Sequence, residues 1–265
     1  MAHHNAKIVI LDIETAPVEA YIWRRWKENI RQNQVIAEGY VLCAVAKYLN
    51  EKKVRKTALP DNSQRWEKNP EDDTEVVKFC WEILNDADVI VAHNGKRFDI
   101  PVLNTRFIAL GLPPPSPYKI VDTLTEAKKK FKFPYNSLSG ILNYLDMDGK
   151  TQTSFELWIG CKQGNKKAWK EMVQYCVNDV LILEDLYMKM APWIDTHPNM
   201  NLYTDMSRRT CTKCGSPRIH RRGTYATQTQ KYVRFCCVEC GGWSRERCTS
   251  LEKDKRKNIL STTAV

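Results

Sequence analysis

The sequence predicts an α/β fold followed by a small, separate, cysteine-rich module. Three observations carry that prediction. Short apolar runs rich in β-branched residues come early, at 8–11, Val41–Tyr48, Val54–Ala58 and Val89–Ala92. Segments of helical period then alternate with them, at 74–85, 98–110, 137–145 and 165–190. The final 59 residues differ in kind: they hold 14 basic and 4 acidic side chains, whereas residues 1–206 hold 27 of each. The whole formal excess of +10 therefore lies in the tail.

The first strand reads KIVIL over residues 7–11, the pattern of a strand buried on both faces. Asp12, Ile13 and Glu14 follow it. Residues i and i+2 of a strand project to one side, so both carboxylates face one spot. Two such groups at a buried strand end are costly unless a positive charge joins them. A divalent cation with oxygen ligands meets that need. Alone, the pair is equally compatible with an acidic strand end in solvent.

The second buried strand, 88–92 (DVIVA), repeats the design. His93-Asn94-Gly95 turns the chain, and Phe98-Asp99 opens a helix. Asp99 would sit at the N-terminus of that helix, where an aspartate is often only a cap. The third piece is the long helix over 166–190. Tyr175 and Asp179 are four apart on it and share a face, a pairing also common on ordinary helix surfaces.

Together these segments resemble the DEDD superfamily of 3′–5′ exonucleases, which includes the proofreading domains of DNA polymerases and the ribonuclease D-like enzymes. The D-x-E motif is Asp12 and Glu14, the second motif runs from Asn94 to Asp99, and the third is Tyr175 with Asp179. Gln174 stands where a histidine form would need His, so the likeness is to the tyrosine branch. It spans roughly residues 7–190. The stretch from Asp122 (VDTLTEAKK) to Lys150 also looks like phage and bacterial exonucleases of the DNA-polymerase-B type.

The resemblance implies a ribonuclease H-like mixed sheet flanked by helices, and hydrolysis of phosphodiesters by a two-metal mechanism with Mg²⁺ or Mn²⁺ about 3.5–4 Å apart. It implies that Asp12 bridges both ions and that Glu14 and Asp179 complete the ion that activates water. Asp99 would serve the other ion through water, and Tyr175 would orient the attacking water. A phenol of pKa near 10 is a poor base at neutral pH, so Tyr175 would position rather than deprotonate. Asn94, Lys96 and Phe98 are near enough in sequence to touch a terminal nucleotide. Residues 128–135 (KKKFKFPY) mix cations with aromatics and either line the strand's path or form a solvated loop.

The segment 18–40 is an insert between the first two strands, containing Trp23, Arg24, Arg25, Trp26, Lys27 and Arg31. It reads as a helix. Its aromatic and basic mixture suits a grip on nucleic acid, but the expectation carried forward is an amphipathic helix packing its tryptophans on the domain.

The tail contains Cys211-x-x-Cys214-Gly and Cys237-x-x-Cys240-Gly, a strong signal for one structural Zn²⁺. Cys236 is the alternative ligand, but only Cys237 has the right spacing to Cys240. Segments 218–227, 231–236 and 243–247 read as three strands, and the whole resembles a zinc ribbon, β-rich and DNA-binding. So few residues bury little core, so the metal would carry the fold. The organisation expected is an exonuclease domain at 1–199, a linker at 200–209, the ribbon at 210–250 and a basic tail at 251–265. Cys43, Cys80, Cys161 and Cys176 are scattered and mostly in apolar stretches, as small core residues are.

The charge asymmetry points to a nucleic-acid partner, with DNA favoured over RNA, and nothing in the sequence indicates a particular protein partner. The absence of a signal peptide or an apolar run of membrane-spanning length sets the expectation of a cytoplasmic protein without a membrane partner, in a bacterial or phage-infected cell. An RNA exonuclease of the ribonuclease D-like type, a non-catalytic nucleic-acid binder on a nuclease fold, and an endonuclease on the same fold remain as alternatives.

Overall fold

A computed structural model describes residues 4–26, 29–147 and 153–261. Lys27 of the insert, the end of the 122–150 stretch and the last four positions of the basic tail lie outside the described residues. The chain forms two compact units, Lys7–Tyr187 and Met188–Val265 with Met1–Ala6.

The larger unit is built on a five-stranded mixed sheet. Its strands are β1 (Ile8–Thr15), β4 (Val41–Tyr48), β5 (Val54–Ala58), β6 (Val89–Ala92) and β7 (Lys119–Asp122), after the short β2 (Glu19–Ala20) and β3 (Val35–Ala37) of the insert. Their order across the sheet is β5-β4-β1-β6-β7. β1 runs antiparallel to β4 and parallel to β6, and β6 runs parallel to β7. This is the mixed sheet flanked by helices that the resemblance implies. β1, β4 and β6 are central, and their side chains from Ile8 to Leu11, Val41 to Ala46 and Val89 to Ala92 are buried. That is why these segments read as continuous apolar runs rather than alternating ones.

The helices are α1 (Ser63–Lys68), α2 (Thr74–Asp86), α3 (Asp99–Ala109), α4 (Thr123–Lys130), α5 (Leu138–Tyr144), α6 (Glu156–Lys162) and α7 (Lys166–Met190). α2 buries Val76, Val77, Cys80, Ile83 and Leu84, an apolar stripe of helical period. α7 buries Met172, Cys176, Val180, Leu183 and Leu186 by the same rule. Arg106 of α3 clamps Asp73 with two bonds, of 2.8 and 2.6 Å, and Asp73 also accepts from the Val41 N–H at 3.0 Å. Asp73 is fully buried, so this pairing ties α3 to the start of β4.

The insert is not the expected helix. Its described residues form a two-stranded excursion in which β2 pairs antiparallel with β3. The reason is tertiary. Thr15 of β1 pairs with Val41 of β4, so the chain between them must leave and return at one place. Ala16 N–H bonds Tyr40 O and Tyr21 N–H bonds Gln34 O, both at 2.8 Å, which holds the two arms together. Nor do the tryptophans pack on the domain: Trp23 is 90% exposed and Trp26 82%.

The smaller unit has a three-stranded antiparallel sheet, ordered β10-β9-β8, from β8 (Ile219–Ala226), β9 (Lys231–Cys237) and β10 (Trp243–Arg245). Met200, at the start of a short 3-10 turn, is fully buried, and its N–H bonds Thr212 O at 3.0 Å. A five-residue helix, α8 (Lys253–Lys257), lies in the basic tail. Among the described residues no helix is long and apolar enough to cross a membrane.

Candidate active site

β1 supplies the first two acids. Its parallel pairing with β6 ends at Ile10, so Asp12 and Glu14 run on beyond the end of β6. Asp99, the first residue of α3, fills the space left there. Its Oδ1 accepts the Ile13 N–H at 3.3 Å, standing where the next residue of a neighbouring strand would have been. The turn between β6 and α3 is made by Asn94, in the left-handed region at φ 71°, and by Gly95. A Cβ on Gly95 would lie 2.4 Å from the Ala92 Cβ, so this close approach requires glycine.

α7 supplies the rest. Tyr175 and Asp179 lie one turn apart and are both buried to more than nine-tenths. The Tyr175 ring meets Trp158 of α6 edge-on, with centroids 6.1 Å apart. Asp12, Glu14, Asp99, Tyr175 and Asp179 together line one open cavity of about 480 Å³. Asn94 and Phe98 line it too, and Phe98 is 41% exposed at its wall. Lys96 is exposed and is not among the lining residues. Lys128 is, so the KKKFKFPY segment reaches the cavity with one lysine.

Burial and mutual repulsion dominate the electrostatics of the acid cluster. Burial first, and then Glu14, Asp99 and Asp179, push the Asp12 carboxyl well above the carboxylate range. Burial raises Asp99 to about 7; bonds from its own and the Ile13 backbone N–H oppose this, and Asp122 adds to it. Burial, then Asp179 and Glu14, push the Tyr175 phenol well above its ordinary value, so it keeps its proton. The donor set of the cluster is all oxygen, which suits a hard divalent ion.

Three features escaped the sequence reading. Cys176 is more than a small core residue, because its thiol donates to Asp12 Oδ2 at 3.2 Å. Its position beside Tyr175 on the helix was the available signal. Asp122, at the end of β7, is buried and accepts from Asn94 N–H (3.2 Å), Lys96 N–H (3.0 Å) and Thr125 N–H (3.0 Å). It braces the turn that carries Asn94 and caps α4 at once. The strand KIVD was too short to read, so Asp122 was noted only as part of the 122–150 stretch and its bracing role was missed. His93 lines the cavity with its ring between Thr123 Oγ1 (2.9 Å) and Asn136 O (3.1 Å).

In the smaller unit the ligand atoms of Cys211, Cys214, Cys237 and Cys240 all lie within 4.8 Å of one another. The Cys211–Cys240 and Cys214–Cys237 sulfurs are 3.6 and 3.7 Å apart. Four thiolates held tetrahedrally at about 2.3 Å from a zinc ion would stand about 3.8 Å apart, so the set fits that ion. Cys236 is not in the group, and its sulfur lies 3.7 Å from Gly241 O instead. Hydrogen bonds from the Cys214 and Cys240 thiols pull the Cys211 thiol far below its usual value.

A sequence profile of the RNase_H superfamily matches residues 38–191, more than half of the chain. The chain belongs to that superfamily, and its fold is ribonuclease H-like. The match begins after β1, so Asp12 and Glu14 lie outside it. No curated protein matches the chain. Among solved structures, the chain is similar to the family B DNA polymerase of the hyperthermophilic archaeon Pyrobaculum calidifontis, at 17% identity and a TM-score of 0.50. That match covers 71% of this chain and 25% of the polymerase, so the likeness is one of fold over a quarter of a longer protein.

Proposed function

We propose that this protein is a metal-dependent 3′–5′ exonuclease that hydrolyses phosphodiester bonds of DNA at single-stranded or 3′ ends. One observation carries the reading. Four carboxylates and a tyrosine from β1, α3 and α7, elements far apart in sequence, converge on one open cavity in a ribonuclease H-like fold. A stable fold has no need of such a cluster, because burying like charges together costs free energy.

Asp12, Glu14, Asp99 and Asp179 would hold two Mg²⁺ or Mn²⁺ ions. Bound there, such ions lower the pKa of water and offset charge on the phosphate. The chain's own residues do the rest. Tyr175, protonated and fixed against Trp158, orients water through its hydroxyl rather than taking a proton. Phe98 offers an exposed ring on which a terminal base can stack, and Asn94 offers an amide to it. Lys128 supplies a positive charge at the cavity for the phosphate backbone. The cysteine group would hold one structural Zn²⁺, and the ribbon at 210–250 would hold substrate through its basic excess. On this reading residues 1–199 carry the chemistry and 200–209 join it to the ribbon.

The test is an end-labelled degradation assay. Purified protein is incubated with 5′-labelled single-stranded DNA, duplex DNA or RNA, with Mg²⁺, Mn²⁺ or neither. A metal-dependent ladder shortening from the 3′ end, stronger on DNA, is expected. Asp12→Ala should abolish it while the fold and binding persist. Tyr175→Phe should slow it about 10- to 10³-fold, the range for losing one positioning contact. Wild-type rate in Asp12→Ala under single turnover would sink the assignment, and an internal-cut pattern would move it to an endonuclease.

A further inference from the structure

The small sheet has a face that the cysteine group does not use. Directly paired residues of an antiparallel ladder share a face, as do residues two apart on a strand. Tyr232 pairs with Tyr225, Arg234 with Arg245, and Cys236 with Trp243. Tyr225, Tyr232, Arg234, Trp243 and Arg245 therefore lie together on one side. Val233 and Cys237 alternate with them on β9 and are buried on the other side.

On the shared face, arginines and aromatic rings interleave. The Arg245 guanidinium lies 4.0 Å from the centroid of the Tyr232 ring and 5.9 Å from that of Tyr225. That of Arg234 lies 4.9 Å from the Trp243 centroid. Arg234 is fixed further by donating from Nε to Arg222 O at 2.6 Å. The rings are half in solvent, Tyr225 at 49% and Trp243 at 51%, and both arginines are exposed. Of the acidic side chains nearby, Glu239 pairs with Arg218 (3.7 Å) and Glu246 with Arg209 (2.6 Å). Among the described residues no ion pair engages Arg234 or Arg245, and Arg245 also donates from Nη1 to the Glu246 backbone O at 3.2 Å.

We propose that this face binds single-stranded nucleic acid, with bases stacked on Tyr225 and Trp243 and phosphates bound by Arg234 and Arg245. The proposal rests on the reading that the protein acts on nucleic acid. A guanidinium laid on a ring keeps its charge and presents its N–H edge, which suits phosphate. Half-exposed rings offer stacking area that only unpaired bases can take up, because duplex bases are already stacked on each other. The face therefore selects strands with unpaired bases.

The test is fluorescence anisotropy of full-length, zinc-replete Asp12→Ala protein, which binds without cutting. The probes are a short oligothymidine, the matching RNA, a blunt duplex and polyglutamate. Tyr225→Ala and Trp243→Ala should each weaken single-strand binding about 10- to 100-fold, with the salt dependence unchanged. Trp243→Phe keeps a ring and should recover most of that loss. Arg234→Gln and Arg245→Gln should each flatten the slope of log K against log salt by about 0.7. Duplex binding should change little in the aromatic variants. Zinc content and the thermal transition report whether each variant has folded, and Trp243→Phe with the arginine variants decides the matter if an alanine variant has not. Wild-type single-strand affinity in folded Tyr225→Ala and Trp243→Ala would overturn the face assignment while leaving the nuclease reading intact. Polyglutamate binding as tightly as oligothymidine would overturn it in favour of an acidic polypeptide. A full-length protein that neither binds nor cuts any nucleic acid would instead sink the underlying reading.

Discussion

The two compact units solve the stability problem by different physics. In the larger one, β1, β4 and β6 are buried on both faces and α2 and α7 cover them, so apolar burial is the main source of order. In the smaller one, β8 is exposed from His220 to Ala226, and buried apolar side chains are few. Beside its sheet the sulfurs of four cysteines, Cys211, Cys214, Cys237 and Cys240, lie together. The difference teaches where each unit can tolerate charge. A large apolar core can carry buried acids such as Asp99 and Asp179 at its edge, whereas a unit without one keeps its charges in solvent and its ligands at its centre.

The sharpest way to break this comparison is to remove the cysteine group. Cys214→Ser, or a chelator at high concentration, should unfold the smaller unit and lower zinc in the purified protein, on the order of the 10–16 kcal/mol such sites supply. The larger unit should keep its own thermal transition and its cleavage at saturating substrate. A single transition that falls as a whole would mean that the units are not separately stabilised. Leu84→Ala probes the other side. Leu84 is fully buried on α2, and its truncation should cost about 2–5 kcal/mol in the transition of the larger unit, with zinc content unchanged.

A pH experiment sharpens the idea that the core carries its acids at a cost. Asp99 in the folded unit holds its proton up to about pH 7, while an unfolded aspartate releases it near 4. Between these values the folded state binds more protons, so stability falls as pH rises through that window. Asp99→Asn removes the penalty. Without Mg²⁺ at about pH 8 it should be more stable than wild type by on the order of 1–4 kcal/mol, by denaturant melts. With excess Mg²⁺ the wild type should gain stability and the variant should not. A variant no more stable than wild type in the metal-free melt would end the argument. The smallest effect belongs to the insert. Trp23→Ala and Trp26→Ala touch residues that are 90% and 82% exposed, so stability should stay within about 0.5 kcal/mol. A larger drop would mean that these rings are packed.

Much of the larger unit was legible because its signals are local. The runs at Val41–Tyr48, Val54–Ala58 and Val89–Ala92 are strands at those bounds, and the helical segments differ by a residue or so at their ends. β7 was missed because four residues beginning with Lys119 carry too little pattern. The insert was misread for the opposite reason. Val18, Tyr21, Ile22 and Trp26 have helical spacing, yet the closure of β1 onto β4 forces the chain to double back.

By itself, then, the sequence determined the fold class, the order of the acids along β1, α3 and α7, and the charge carried by the last 59 residues. These depend on neighbours within a turn or a strand, where periodicity and spacing suffice. Only the tertiary structure decided that Cys176 meets Asp12, that Asp122 braces the Asn94 turn, and that arginines and aromatic rings share one face of the small sheet. Each of these joins groups from different elements, and such meetings are set by how elements pack rather than by anything a single stretch of chain encodes.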